Sequence, residues 1–345
     1  MITNEKIFIQ IASYRDPELI NTIKDCIAKS DKPDNLRFCI CWQRSETESL
    51  EEYYNDSRFK IISIPYKDTK GACWARNRIQ QFYDNEKYTL QLDSHHRFIK
   101  SWDTILIKMF ENLKKDGIEK PLITAYLPSY NPSNDPEERI QIPWKINFKE
   151  LTTEKQVLCI PSNIENYKSL TKPIIAHFYS GHFTFASGQF VKEVPHDPEL
   201  YFTGEEMSIT VRAFTHGYTL FHPHIVIAWH EYTRKNRVKQ WDDDKEWWKK
   251  DIHSKNHYLS IFNNNKIGTK YGLGNKRTIT DYIKFSGINF LSNIPNKEGN
   301  KEYKLIDETW KNWIKKNIQL KVSVEEIRKI LLKSNFNPIE IDKLL

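Results

Sequence analysis

Ile7-Phe8-Ile9-Gln10-Ile11-Ala12-Ser13-Tyr14-Arg15-Asp16-Pro17-Glu18-Leu19 is the stretch on which the reading of the fold turns. Its first six residues are almost continuously apolar, the pattern of a strand buried on both faces. Asp16 then stands where a helix cap belongs, with Pro17 at the first helical position. Leu19, Ile20, Ile23, Cys26 and Ile27 recur at helical spacing behind it. Working outward, Leu36–Trp42 and Phe59–Ile64 read as strands, a helix is expected from about Cys73 to Tyr83, and Tyr88–Asp93 reads as a fourth strand. Strands that alternate with helices require crossover connections. The expected fold is therefore α/β and Rossmann-like, a mainly parallel sheet with helices on both faces. No glycine-rich dinucleotide fingerprint follows the first strand.

Further along, Trp102–Lys115 reads as a helix and Pro121–Tyr126 as a strand. Residues 128–173 are irregular and rich in Pro and Asn, the character of a lid or substrate loop. Regular patterning resumes at Ile174–Val194, followed by a helix at Glu205–His216 and a strand at Tyr218–Trp229. Past Tyr232 the chain turns basic and aromatic, with helices expected near Ile279–Phe285, Tyr303–Asn317 and Val324–Leu332. Two regions are expected: an α/β domain over 1–235 and a smaller, basic, mostly α-helical region over 236–345. The aromatic residues of Trp241–Trp248 are expected to dock that tail on the first domain.

Composition narrows the classes. Of 345 residues, 39% are hydrophobic and 13% aromatic, and mean hydropathy is −0.66, values of a soluble globular protein. No apolar run is long enough for a membrane span, and the first residues do not read as a secretory leader. Five cysteines, with no CxxC pair, argue against a disulfide scaffold or a cysteine-pair zinc site and suit a reducing compartment. The 52 Lys+Arg against 45 Asp+Glu leave a charge of +7. That charge suits nucleic acid, an acidic surface or a phosphorylated small molecule alike.

Four constellations carry chemistry. In Asp93-Ser94-His95, alternate residues point the same way, so Asp93 and His95 converge beyond the carboxyl end of a strand, where open α/β sheets bind ligands. A carboxylate oxygen with an imidazole nitrogen suits Mn²⁺ or a related divalent cation. A plain turn cap is the simpler reading of the same residues. His230, ending another apolar strand, is the third ligand such a pair needs, or else a packed histidine. Glu205 and Glu206 open a helix, where the macrodipole favours acidic residues; alternatively one faces a substrate. Ahead of them, Tyr179–Gly188 puts small residues where a ligand could approach backbone. Finally, Gly71 precedes a helix carrying Arg76 and Arg78, a means of bringing positive charge to a nucleotide.

Taken in order, ASYRDPEL (12–19), GACWARN (71–77), QLDSHHRF (91–98), GHFTFASG (181–188), FTGEEMSITVRAFTHGY (202–218) and WHEY (229–232) resemble the glycosyltransferase family 60 GlcNAc-transferases. That family is typified by cytosolic enzymes that modify hydroxyproline on a polypeptide. The segments are similar, more distantly, to the polypeptide GalNAc-transferases. The resemblance covers residues 1 to about 235 and implies a GT-A fold, a UDP-sugar donor (most plausibly UDP-GlcNAc), a hydroxyl acceptor on a polypeptide or glycan, and retention of anomeric configuration. It implies that Asp93 and His95 form a DxH motif which, with His230, holds Mn²⁺. It further implies that Ala12, Ser13, Tyr14 and Arg15 border the uridine, and that Arg76 and Ser94 belong to the diphosphate side. Gly181 and His182 are implied to lie under the donor sugar, with His182 standing where the distant relatives have Gly. Glu205 and Glu206 are implied to be the acidic pair beside sugar and acceptor. A sugar-transferase core with neither a readable secretory leader nor a membrane span is expected in the cytoplasm. Two other classes compete: a metal-dependent phosphodiesterase or nuclease, and a non-catalytic module binding nucleic acid or an acidic partner. The first lacks the additional carboxylates of a two-metal site. The second is weakened because lysine-rich helices are usually a solvated face.

Overall fold

The computed structural model describes residues 5–152, 155–233, 237–264, 266–292 and 300–345. The chain runs β1 (Ile7–Tyr14), α1 (Leu19–Lys29), β2 (Leu36–Arg44), β3 (Phe59–Pro65), α2 (Ala72–Gln80), β4 (Tyr88–Leu92), β5 (His96–Phe98), α3 (Trp102–Lys115) and β6 (Pro121–Thr124). There follow β7 (Ser129–Tyr130), β8 (Trp144–Leu151), β9 (Val157–Asn163), β10 (Ile174–Ile175), β11 (Phe183–Ser187), α4 (Phe190–Glu193), α5 (Glu205–Thr215), β12 (Thr219–His222) and β13 (Ala228–Glu231). The remainder is helical: α6 (Gln240–Asp243), α7 (Trp247–Asn263), α8 (Ile279–Ser286), α9 (Glu308–Gln319), α10 (Val324–Lys333) and α11 (Pro338–Leu344).

The main sheet has eight strands in the order β10-β12-β6-β11-β4-β1-β2-β3. β4, β1, β2 and β3 are mutually parallel, as are β6 and β12. β11 is antiparallel to both β4 and β6, which joins the two parallel blocks. Alternation along β1 explains the two covered faces. Ile7, Ile9 and Ile11 pack with Leu19 and Ile23 of α1 and Trp102 and Leu106 of α3. Phe8 turns the other way and packs with Cys39, Cys41 and, from α2, Ala75 and Ile79.

A second sheet of three strands, β5-β13-β7, sits off the end of β4. The residues 218–229 expected to form one strand divide between the two sheets. Pro223 follows β12 directly and has no N–H with which to continue a ladder. That division delivers β13 to β5 in antiparallel register, with His230 opposite His96 and Glu231 N donating to His95 O at 3.1 Å.

Residues 128–173 are more ordered than their composition implied. β8 and β9 form a two-stranded hairpin, with Ile146 buried and Phe148, Val157 and Cys159 packed on the cluster around α5, α7 and α8. α1 also departs from expectation: it starts at Leu19, and on the helix side the Asp16 carboxylate accepts from Glu18 N at 2.9 Å, ahead of the first helical residue. Gly71 caps α2 at φ +112°, and a Cβ there would lie 2.6 Å from Tyr201 O, so no other residue fits this junction.

The expected domain boundary at 235–236 lies outside the described residues. Tyr258, Ile261 and Phe262 of α7 and Tyr282 and Phe285 of α8 share one core with Cys73, Leu200 and Met207. α9–α11 bury a core of their own around Ile314, Ile327 and Leu331. α9 begins at Glu308 rather than Tyr303, because the Asp307 side chain accepts from Trp310 N and fixes the start. Trp241 docks edge-on against Phe202, centroids 5.7 Å apart, whereas Trp248 is about half exposed.

Candidate metal centre and its cavity

Three side chains, two from the β4–β5 link and one from β13, meet at the carboxyl edge of the main sheet. Asp93 follows β4, His95 precedes β5, and His230 comes from β13. His95 Nε2 lies 3.7 Å and His230 Nε2 3.5 Å from Asp93 Oδ2. Ligand-capable atoms of all three lie within 4.8 Å of one another. His95 Nδ1 lies 2.7 Å from Asp16 Oδ2 and donates to it, which directs Nε2 at Asp93. Burial would raise the Asp16 pKa, but the hydrogen bond and charge of His95, with Arg237, hold it below the usual carboxylate range. Burial also drives His230 and His182 well below the ordinary imidazole value, leaving both neutral at physiological pH. His230 Nδ1 has no hydrogen-bond partner. One ionised carboxylate and two imidazoles, one oriented by a carboxylate behind it, fit a borderline-hard divalent cation such as Mn²⁺.

These residues line a cavity of about 1020 Å³. Its wall includes Ala12, Tyr14, Arg76, Asp93, Ser94, His95, Gly181, His182, Glu205, Glu206 and His230, so most of the residues singled out in sequence converge on one space. Ser13 and Arg15 do not line it. Ser13 is fully buried within β1, and Arg15 turns outward to Asp243 at 2.7 Å and stacks over Tyr66. Tyr14 also donates to Asp243, at 2.7 Å, which ties α6 to the end of β1.

Arg76 organises the charge. Its Nη2 donates to Asp93 Oδ1 at 2.8 Å and its Nη1 to Glu205 Oε1. Burial and the His230 hydrogen bond act on Asp93 in opposite directions, and with Arg76 and His95 the balance leaves its pKa well below the usual value. The acidic pair at the start of α5 divides its duties. Glu205 is held by Arg76, while Glu206 accepts from Gly181 N at 2.8 Å and from Tyr126 Oη at 2.6 Å. Burial raises the Glu206 pKa from 4.5 to about 7, against the pull of the Tyr126 hydrogen bond.

That shift has a consequence for stability. Between pH 4.5 and 7 the folded state binds a Glu206 proton that the unfolded chain has released, so stability falls as pH rises through this window. Glu206→Gln keeps an acceptor for Gly181 N, puts an amide N–H that can donate to Tyr126 Oη in the other position, and carries no titrating proton. It is expected to remove a fall of about 3 kcal/mol from the unfolding free energy between pH 5 and 8. Denaturation curves across that range test this; parallel wild-type and variant profiles would contradict it.

Several functional side chains had no separate signal in the sequence. Asp16 was readable as a helix cap, yet it orients His95 and accepts from Ser94 Oγ at 2.7 Å. Tyr126, Tyr232 and Arg237 reach the cavity from distant elements, and the β8–β9 hairpin contributes Thr152 and Gln156–Cys159 to its wall.

A family model described as glycosyltransferase (GlcNAc) matches residues 6–55 and 49–292. No curated protein matches in sequence. Among solved structures, the chain is similar to GalNAc-T7 crystallised with UDP, GalNAc and Mn²⁺, at 13% identity and TM-score 0.54 over 81% of this chain. It spans 56% of that chain's length. This likeness supports a GT-A-like α/β fold. S. aureus TarS is more remote, at 12% identity and TM-score 0.43 over 67% of this chain and 37% of TarS; its residues 1–349 with UDP-GlcNAc give TM-score 0.44, covering 74% and 66%.

Proposed function

The chain belongs to the glycosyltransferase (GlcNAc) family, and on that premise we propose that it is a metal-dependent, retaining transferase. It moves a sugar, GlcNAc before others, from a UDP-sugar to a hydroxyl acceptor on a polypeptide or glycan. The observation that carries this is the convergence of Asp93, His95 and His230 within 4.8 Å on the wall of one large cavity. The family 60 resemblance and the UDP and Mn²⁺ named with GalNAc-T7 add support. Residues 1–235 form the catalytic domain in this reading, and 236–345 the basic helical region. Cytoplasmic placement rests on the resemblance; among the described residues no helix is long and apolar enough to cross a membrane.

Asp93, His95 and His230 would hold the divalent cation, which when bound supplies Lewis-acid neutralisation of the charge developing on the diphosphate. The rest is done by the chain. Ala12 and Tyr14 line the uridine end of the cavity. Arg76 places fixed positive charge beside Asp93, already paired and therefore oriented before substrate arrives. Gly181 has no side chain, and a Cβ there would lie 2.9 Å from Arg76 Nη1 and 3.0 Å from a Glu205 oxygen, which keeps the sugar's floor open. Glu206, poised near neutrality and bonded to Tyr126, can accept or donate a hydrogen bond at the sugar or acceptor hydroxyl. The nuclease alternative gains no support: Asp93 is the one carboxylate in this metal-capable group, and Asp16 is engaged behind His95.

The direct experiment incubates the protein with a panel of UDP-sugars, with Mn²⁺ or EDTA, and measures UDP release. Turnover of UDP-GlcNAc that EDTA abolishes is expected. No binding or turnover of any UDP-sugar overturns the proposal. Because Asp16 orients His95, Asp16→Asn is expected to weaken Mn²⁺ binding about 10–100-fold. Calorimetric titration with Mn²⁺ reads this, with Arg237→Met as a control for the Asp16–Arg237 ion pair.

A further inference from the structure

A second group of metal-capable atoms lies beside the first. Cys73 of α2, His196 of the segment after α4 and Glu205 of α5 bring a sulfur, a nitrogen and an oxygen within 4.8 Å of one another. All three are buried, at 0, 1 and 5% exposure.

Neighbouring hydrogen bonds determine where the His196 proton sits. Gln91 Nε2 donates to Tyr179 Oη and to Gly181 O, each at 2.7 Å, which identifies Gln91 Oε1 as the acceptor end of the amide. His196 Nε2 lies 2.6 Å from Gln91 Oε1 and must donate to it. Nδ1 is then a lone pair. It is buried without a hydrogen-bond partner and lies 3.7 Å from Glu205 Oε1. Two acceptors facing each other out of water are unfavourable, and an unmet buried acceptor costs about 1–3 kcal/mol. A cation between them would make both into ligands.

We propose that Cys73, His196 and Glu205 form a second metal site, selective for a soft divalent ion, Zn²⁺, beside the harder Asp93–His95–His230 centre. Thiolate, imidazole and carboxylate are the zinc donor set. Zinc bond lengths of about 2.3 Å to sulfur and 2.0 Å to nitrogen imply donor separations of roughly 3.5 Å, so donors within 4.8 Å of one another need to close by about 1.3 Å at most. Binding displaces the Cys73 thiol proton to solvent, and the resulting thiolate with the Glu205 carboxylate balances the dication. Glu205 lies on the cavity wall, which gives the ion its approach. The same carboxylate pairs with Arg76, so occupancy draws Glu205 off Arg76 and weakens the donor site. That consequence rests on the donor reading above; the site itself does not. No cysteine pair takes part, which is why residue spacing gave no sign of it.

Cobalt(II) tests the site without recourse to activity, because a thiolate ligand produces an intense near-ultraviolet charge-transfer band that carboxylate and imidazole ligands lack. The full-length protein, reduced and metal-free, is titrated with Co²⁺. A one-equivalent band, erased by one equivalent of Zn²⁺, is expected in the wild type and in Asp93→Asn, and its loss in Cys73→Ser and His196→Ala. No band in the wild type, or a band that survives in Cys73→Ser, overturns the proposal. Should a variant fail to fold, the wild-type and Asp93→Asn titrations still decide. If UDP release fails with every UDP-sugar while the band appears, the donor reading falls and the zinc site stands.

Discussion

Asp93→Ala is expected to lower kcat/KM for UDP-sugar turnover by about 10³-fold and to abolish its dependence on Mn²⁺. Asp93 is the one carboxylate of its metal-capable group, and it bonds Arg76 through its other oxygen at 2.8 Å. The substitution therefore removes a ligand and an anchor for the neighbouring guanidinium together. The fold should survive, since Asp93 lies beyond the end of β4 with its side chain 29% exposed to the cavity, and Arg76 keeps Glu205. UDP release measured across a Mn²⁺ series, with near-ultraviolet dichroism as a check on folding, reads the outcome. Mn²⁺-stimulated turnover within tenfold of wild type would place the metal centre elsewhere. Asp93→Asn separates charge from shape: it should lose nearly as much, because a neutral amide is a poor ligand for a hard cation.

Arg76→Met is expected to be the most destabilising change at the site, by about 3–5 kcal/mol at neutral pH. Its side chain is 5% exposed and its partner Glu205 6%, so its removal leaves a carboxylate out of water without a counter-charge. Burial already raises the Glu205 pKa even with Arg76 present. Without Arg76 that carboxyl is pushed up further, and the penalty should shrink as pH falls and Glu205 takes a proton. Arg76→Met/Glu205→Gln should recover more than half of the loss in denaturant unfolding. Simple additivity of the two single substitutions would show that the pair is not coupled. Activity should fall in both backgrounds, since the positive charge beside the diphosphate is gone in each.

Much of the α/β core was legible because its signals are local. The apolar run of β1, the 3.6-residue recurrence in α1 and α3, and the glycine before α2 each dictate an element from its own residues. Helix and strand boundaries slipped where a side chain chose the start, as at Asp307, or where a proline split a strand, as at Pro223. Asp16 shows the limit most clearly. A carboxylate ahead of Pro17 has the local form of a cap, and only the return of Ser94 and His95 to its other oxygen makes it part of the metal centre.

By itself the sequence determined a mainly parallel α/β sheet and placed Asp93 and His95 together at the end of a strand, because strand alternation is a short-range geometric rule. Which carboxylate pairs with Arg76, why His230 arrives at His95, and that Cys73 and His196 share Glu205 were decided only by tertiary structure. Apart from His196 and Glu205, nine positions apart, those contacts join residues 100 or more positions apart. They depend on the register of β5 against β13 and on the packing of α2 against α5, for which no local pattern exists.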